Sequence, residues 1–82
     1  MNVSGHARLE VFVEPLKENE PGPHVTAAIE ALEAAGLAVD MGPFATTTDG
    51  SMQVVIDAAA AMIRAGFEAG AEAIQLRIER AR

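Results

Sequence analysis

The densest group of side chains able to do chemistry is Gly42-Pro43-Phe44-Ala45-Thr46-Thr47-Thr48-Asp49-Gly50, where three consecutive hydroxyls stand between a Gly-Pro and an Asp-Gly pair. Threonine hydroxyls both donate and accept hydrogen bonds, so such a run suits a small polar ring, with Phe44 as a flat apolar surface. On an extended segment successive side chains alternate, which puts Thr46 on one side with Phe44 and Thr48 and leaves Thr47 on the other. From the residues alone two accounts stand. The threonines are good strand formers whose hydroxyls bond to backbone or water, or they line a polar pocket.

The remaining reactive residues are scattered. His6 and His24 show no metal-ligand spacing, one lying in an N-terminal tail and the other at a helix start, so both read as solvated and no metal site is expected. Ser4 and Ser51 are the only serines, neither sits in a nucleophile elbow, and Ser51 reads as a helix cap. Glu30, Glu33, Glu68 and Glu72 fall at solvated helix and loop positions. With no positioned acid and base, no catalytic residue is assigned.

Charge and composition narrow the function further. Twelve acidic residues against six basic ones give a net charge of -6, and no two basic residues are adjacent, which argues against nucleic-acid binding. There is no cysteine, so disulfides, thiolate nucleophiles and thiolate metal sites are excluded together. No apolar run approaches the ~20 residues that cross a bilayer, and the first residues are too polar for a signal peptide. A cytoplasmic protein without membrane contact is expected. The 82 residues suit one domain, residues 1–82 with a core from about 8 to 80. Of the apolar residues 17 are Ala, leaving 24 larger side chains, a thin core that self-association would extend.

The elements that position the threonines follow from periodicity. Leu9, Val11 and Val13 alternate with Glu10, Phe12 and Glu14 as a first strand, ended by Pro15 and a polar loop over 17–23. A helix from Pro23 or His24 to Ala35 carries Val25, Ala28, Ile29 and Leu32 on one face, with Gly36 as its C-terminal cap. A short strand over 37–41 and a third over 44–48 meet at Gly42-Pro43, and Asp49-Gly50 reads as the turn out. A long helix then runs to about Ala69 with Met52, Val55, Ile56, Ala59, Met62, Ile63 and Phe67 on one stripe, and Gly66 inside it marks a close packing contact. After Gly70, Ile74, Leu76 and Ile78 alternate with Gln75, Arg77 and Glu79 as the last strand.

The order strand, helix, strand, strand, helix, strand, with right-handed crossovers, is that of a ferredoxin-like α+β sandwich: a four-stranded antiparallel sheet with two helices on one face. Leu9, Val11, Val13, Ile74, Leu76 and Ile78 then face the helices. Glu10, Phe12, Glu14, Gln75 and Arg77 are left on the open face, a plausible contact surface. Metal chaperones of this fold need a Cys pair, and RNA readers need sheet aromatics with basic flanks, neither of which is present.

The segment Gly42-Pro43-x-x-Thr46-x-x-Asp49-Gly50 resembles the G-P-x-x-T-x-x-E/D-G signature of the thiamine-binding protein family. Val11-x-Val13-x-Pro15-Leu16 is similar to that family's first strand, Pro23-His24-Val25 with Ala31-Leu32 to its first helix, and residues 34–37 to its helix-to-strand junction. The resemblance spans about residues 9–79. The chain departs from the family pattern at Phe12, Glu14 and Ala45 and in its ending after Ile78. The resemblance implies a ferredoxin-like domain that forms dimers or tetramers through its sheet. It also implies binding of thiamine, or its hydroxymethylpyrimidine half, without transformation of the ligand and with no other cofactor. Thr46, Phe44, Thr47, Asp49 and Glu14 are the candidate ligand residues, the two carboxylates because a thiazolium ring is cationic. A structural or regulatory homo-oligomer without ligand, and an enzyme of the dimeric α+β barrel kind, are the competing readings.

Overall fold

The computed structural model describes residues 3–15, 22–42 and 45–81. Strict alternation builds β1 (His6–Glu14), where Ala7, Leu9, Val11 and Val13 are buried and the residues between them are not. α1 (Pro23–Ala34), β2 (Val39–Met41), β3 (Thr46–Ser51), α2 (Met52–Glu68) and β4 (Ala73–Ala81) follow. The sheet order is β2-β3-β1-β4 with every neighbouring pair antiparallel. This is the expected ferredoxin-like arrangement, with β1 at the centre and a core of Leu9, Val11, Val25, Leu32, Val55 and Met62 between sheet and helices.

β1 starts three residues before Leu9, so His6 lies at the head of a strand and not in a tail. Ala7 is fully buried and pairs with Gly50 and Arg80, which draws the strand back to that point. β3 correspondingly runs through Asp49-Gly50, which do not form the expected turn. They pair with Arg8 and Ala7, and a Cβ on Gly50 would come 2.7 Å from Leu37 Cδ2, so glycine serves here to admit Leu37 over the strand. Leu37 is itself taken into the core, which shortens β2 to three residues. The exit from the sheet is compressed into Ser51, whose Oγ accepts a 3.3 Å hydrogen bond from the Val54 N–H and caps α2.

α2 is rotated from the expected stripe. Its buried residues are Met52, Val55, Ala58, Ala59, Met62 and Gly66, whereas Ile56 and Phe67 are 38% and 48% exposed. Small residues face inward because the helix lies close to its neighbours: a Cβ on Gly66 would be 3.0 Å from Ile74 Cδ1 and 4.0 Å from Ala28 Cβ. Gly66 is thus a packing contact, as expected. Among the described residues no helix is long and apolar enough to cross a membrane.

Thr48 is buried in β3 and its hydroxyl donates a 2.6 Å hydrogen bond to the Ala38 carbonyl, tying the β2 approach to the sheet. Thr48→Val keeps shape and strand preference and removes that bond, so a loss of about 1 kcal/mol and a fall in Tm of about 4–8 °C are expected by calorimetric melting.

Candidate functional site

The register of β3 divides the threonine run between the two faces of the sheet. Thr46 lies opposite Val11 and Met41, and Thr48 opposite Leu9 and Val39, so both point toward the helices. Thr47 lies opposite Glu10 and Asp40, and Asp49 opposite Arg8, on the open face. Glu14 is also on the open face, paired with Ala73 at the far end of β1, where its Oε2 accepts a 3.3 Å hydrogen bond from Gln75 Nε2. Arg8 and Glu14 are six residues apart along β1, about 20 Å at the usual strand rise. The structure therefore brings Thr47 and Asp49 to one face, separates Glu14 from Asp49, and sets Thr46 on the other side. Phe44 lies outside the described residues.

Thr46 occupies a corner of the helix side. β3 begins, β1 ends and α1 begins at this same end of the sandwich, because Thr46 pairs with the second half of β1 and α1 follows β1 in the chain. Thr46 is 9% exposed, and among the described residues its hydroxyl has no hydrogen-bond partner, in contrast to Thr48. The start of α1 is held at this end by a side-chain bond to the end of β1. Gly22 is the N-cap of that helix and Pro23 its first residue, a position where proline's missing N–H costs nothing.

His24, expected as a solvated imidazole, is buried at 9% exposure, and its Nε2–H donates a 2.5 Å hydrogen bond to the Pro15 carbonyl. The bond pins the start of α1 to the end of β1. A Cβ on Gly22 would lie 2.5 Å from His24 Cε1, so the imidazole folds back over this glycine and would have to shift for any larger residue. Gly22-Pro23-His24 was the available signal: a glycine cap next to a helix-starting proline leaves room for the following side chain to turn inward.

The open face carries a checkered charge pattern. Arg8 stands between Asp49 and Glu79, Glu10 between Thr47 and Arg77, and Arg77 Nη2 contacts Glu79 Oε2 at 3.1 Å. Both partners of that ion pair are at least half exposed, so it adds little stability. Depressions here are shallow: one of about 160 Å³ over Glu10, Phe12, Ala45, Gln75 and Arg77, another of about 240 Å³ over Arg8, Asp40, Thr47 and Asp49. Both fall below the ~300 Å³ typical of small-molecule sites. Among the described residues no group of three or more His, Asp or Glu is placed to hold a metal ion.

Comparison with known proteins adds to this geometry. The family described as thiamine-binding protein matches residues 9–80. Among solved structures the chain is similar to the DUF77 domain of Bacillus cereus, a domain of unknown function, at 25% identity and a TM-score of 0.70, over 96% of this chain and 77% of that one. It also shares its fold with a Thermotoga maritima protein provisionally described as serving thiamine biosynthesis or salvage. That pair has 20% identity and a TM-score of 0.69, over 94% of this chain and 84% of the other. A Streptococcus pneumoniae protein shares the fold at 15% identity and a TM-score of 0.58, over 94% and 86% of the two chains. No curated protein matches the chain.

Proposed function

The chain belongs to the thiamine-binding protein family, and on that footing we propose that it binds thiamine, or the hydroxymethylpyrimidine half of it, without transforming the ligand. The family match over residues 9–80 carries this reading. The chemistry of the corner supports it. The Thr46 hydroxyl offers a donor and an acceptor to an aminopyrimidine, and the apolar residues Val11 and Val13 beside it are an apolar wall for a flat ring. Binding without turnover fits a corner where Thr46 stands between the aliphatic cross-strand partners Val11 and Met41. The open face, with Phe12 half-buried among charges, serves self-association into a dimer or tetramer.

The matched pair Thr46→Val and Thr47→Val tests the location, since the two hydroxyls lie on opposite faces. Loss of one neutral hydrogen bond should weaken thiamine binding about twofold to tenfold in Thr46→Val. Thr47→Val should change it less. The check is titration calorimetry on both variants after confirming that each keeps its mass and melting temperature. If Thr47→Val is the damaging change, the ligand sits on the open face, and Asp49 and Glu10 become its neighbours.

A further inference from the structure

With neither cysteine nor tryptophan in the chain, methionine is the side chain most open to attack by a peroxide, and the described methionines are covered very unequally. Met52 is 7% exposed and Met62 fully buried, whereas Met41 is 51% exposed. Met41 ends β2, an edge strand, so no further strand covers its outer side. The Gly42 N–H donates a 3.0 Å hydrogen bond to the Ala45 carbonyl and closes the hairpin there, which holds Met41 opposite Thr46. Cross-strand partners keep their side chains on one face with Cβ atoms about 4.5–5.5 Å apart, so the Met41 thioether and the Thr46 hydroxyl share one corner.

We propose that Met41 is a site of reversible oxidation, and that its sulfoxide takes the Thr46 hydroxyl and so weakens ligand binding at that corner. Reduced, the thioether is a soft apolar wall, and sulfur packs well against a flat aromatic ring. The co-reactant is a peroxide. Met41 Sδ attacks one peroxide oxygen, the S–O bond forms as the O–O bond breaks, and the proton on the transferred oxygen goes to the departing hydroxide, which leaves as water. Sulfur loses two electrons and the peroxide gains them. The sulfoxide oxygen is an acceptor at the end of a flexible side chain, and of the three threonine hydroxyls only one is placed to donate to it. Thr48 already donates to the Ala38 carbonyl, and Thr47 lies on the open face, which leaves Thr46, without a partner among the described residues. The bond removes a donor from the ligand, and the polar group replaces half of the apolar pair, Val11 and Met41, that flanks Thr46. The effect on binding rests on the thiamine reading. The modification itself does not.

Limiting hydrogen peroxide followed by peptide mapping gives the order of attack. Met41 is expected to gain its oxygen well before Met52 and Met62, and attack on either buried methionine first, or at an equal rate, overturns the proposal. Titration calorimetry with thiamine on the protein oxidised at Met41 should show binding weakened about twofold to tenfold, the worth of one neutral hydrogen bond. Treatment with the two methionine sulfoxide reductases should restore it. Met41→Leu keeps an apolar side chain that peroxide does not convert, so its affinity, at whatever level, should be the same before and after treatment. Unchanged affinity in the oxidised protein, or an equal loss in Met41→Leu, overturns the proposal. Melting reads the new bond without ligand: oxidation should lower Tm more in Thr46→Val, which cannot donate, than in the unsubstituted chain. Equal shifts overturn the proposal whether or not thiamine binds. No binding before oxidation contradicts the thiamine reading and not the modification site, which the order of attack and the pair of melts then decide.

Discussion

Leu9→Ala is expected to cost about 2–5 kcal/mol and to lower Tm by more than about 10 °C. Leu9 is fully buried on the central strand, flanked by Thr48 on one side and Ile78 on the other, under both helices. Truncation there leaves a cavity that the sheet cannot close, because β1 is held by ladders on both edges. Domains of this size have about 5–15 kcal/mol of stability in total, so the loss is a large fraction of the whole. Thermal melts at one fixed protein concentration, followed by far-UV circular dichroism, measure it. A fall under about 5 °C would mean that the centre of the core lies elsewhere. The exposed Ile56 is the comparison: Ile56→Ala should cost far less, although periodicity alone puts both residues in the core.

Saturating thiamine is expected to raise Tm by about 10–20 °C. A ligand that binds only the folded state stabilises it by about 2.7 kcal/mol at 100 times its Kd. A small domain converts each kcal/mol into about 4–8 °C. Hydroxymethylpyrimidine should produce a shift of the same sign if the pyrimidine is the part recognised at Thr46. The thiazole half alone should then produce little. The reverse order would place recognition on the cationic ring and direct attention to the carboxylates of the open face. No shift with any of the three at millimolar concentration favours a structural or regulatory oligomer without ligand.

The fold was legible because its two longest strands alternate cleanly. Around Leu9 and around Ile74 every second residue is apolar, and that period fixes both which face is buried and, with the helices between, the order of elements. The misreadings have local causes. Asp-Gly is among the strongest turn signals, yet here Gly50 stays in β3 because Leu37 occupies the space a side chain would fill. Ile56 and Phe67 look like core because they are large, but Ala58, Ala59 and Gly66 face inward, where close helix packing leaves no room for size. The alternation of Thr46, Thr47 and Thr48 was readable, whereas which of them faced the helices needed the pairing of β3 with β1. Charge alone groups Glu14 with Asp49, whereas the register separates them by most of the length of β1. His24 could not be placed from spacing, since its partner is a backbone carbonyl nine residues earlier.

The central claim is that this chain binds thiamine and leaves it intact. The direct measurement is titration calorimetry of the unmodified protein with thiamine, with the ligand recovered afterwards and its mass determined. A saturable isotherm with fixed stoichiometry per assembly and unchanged thiamine in full yield is the predicted result. A flat titration up to millimolar thiamine, or recovery of a cleaved or altered product, would contradict it.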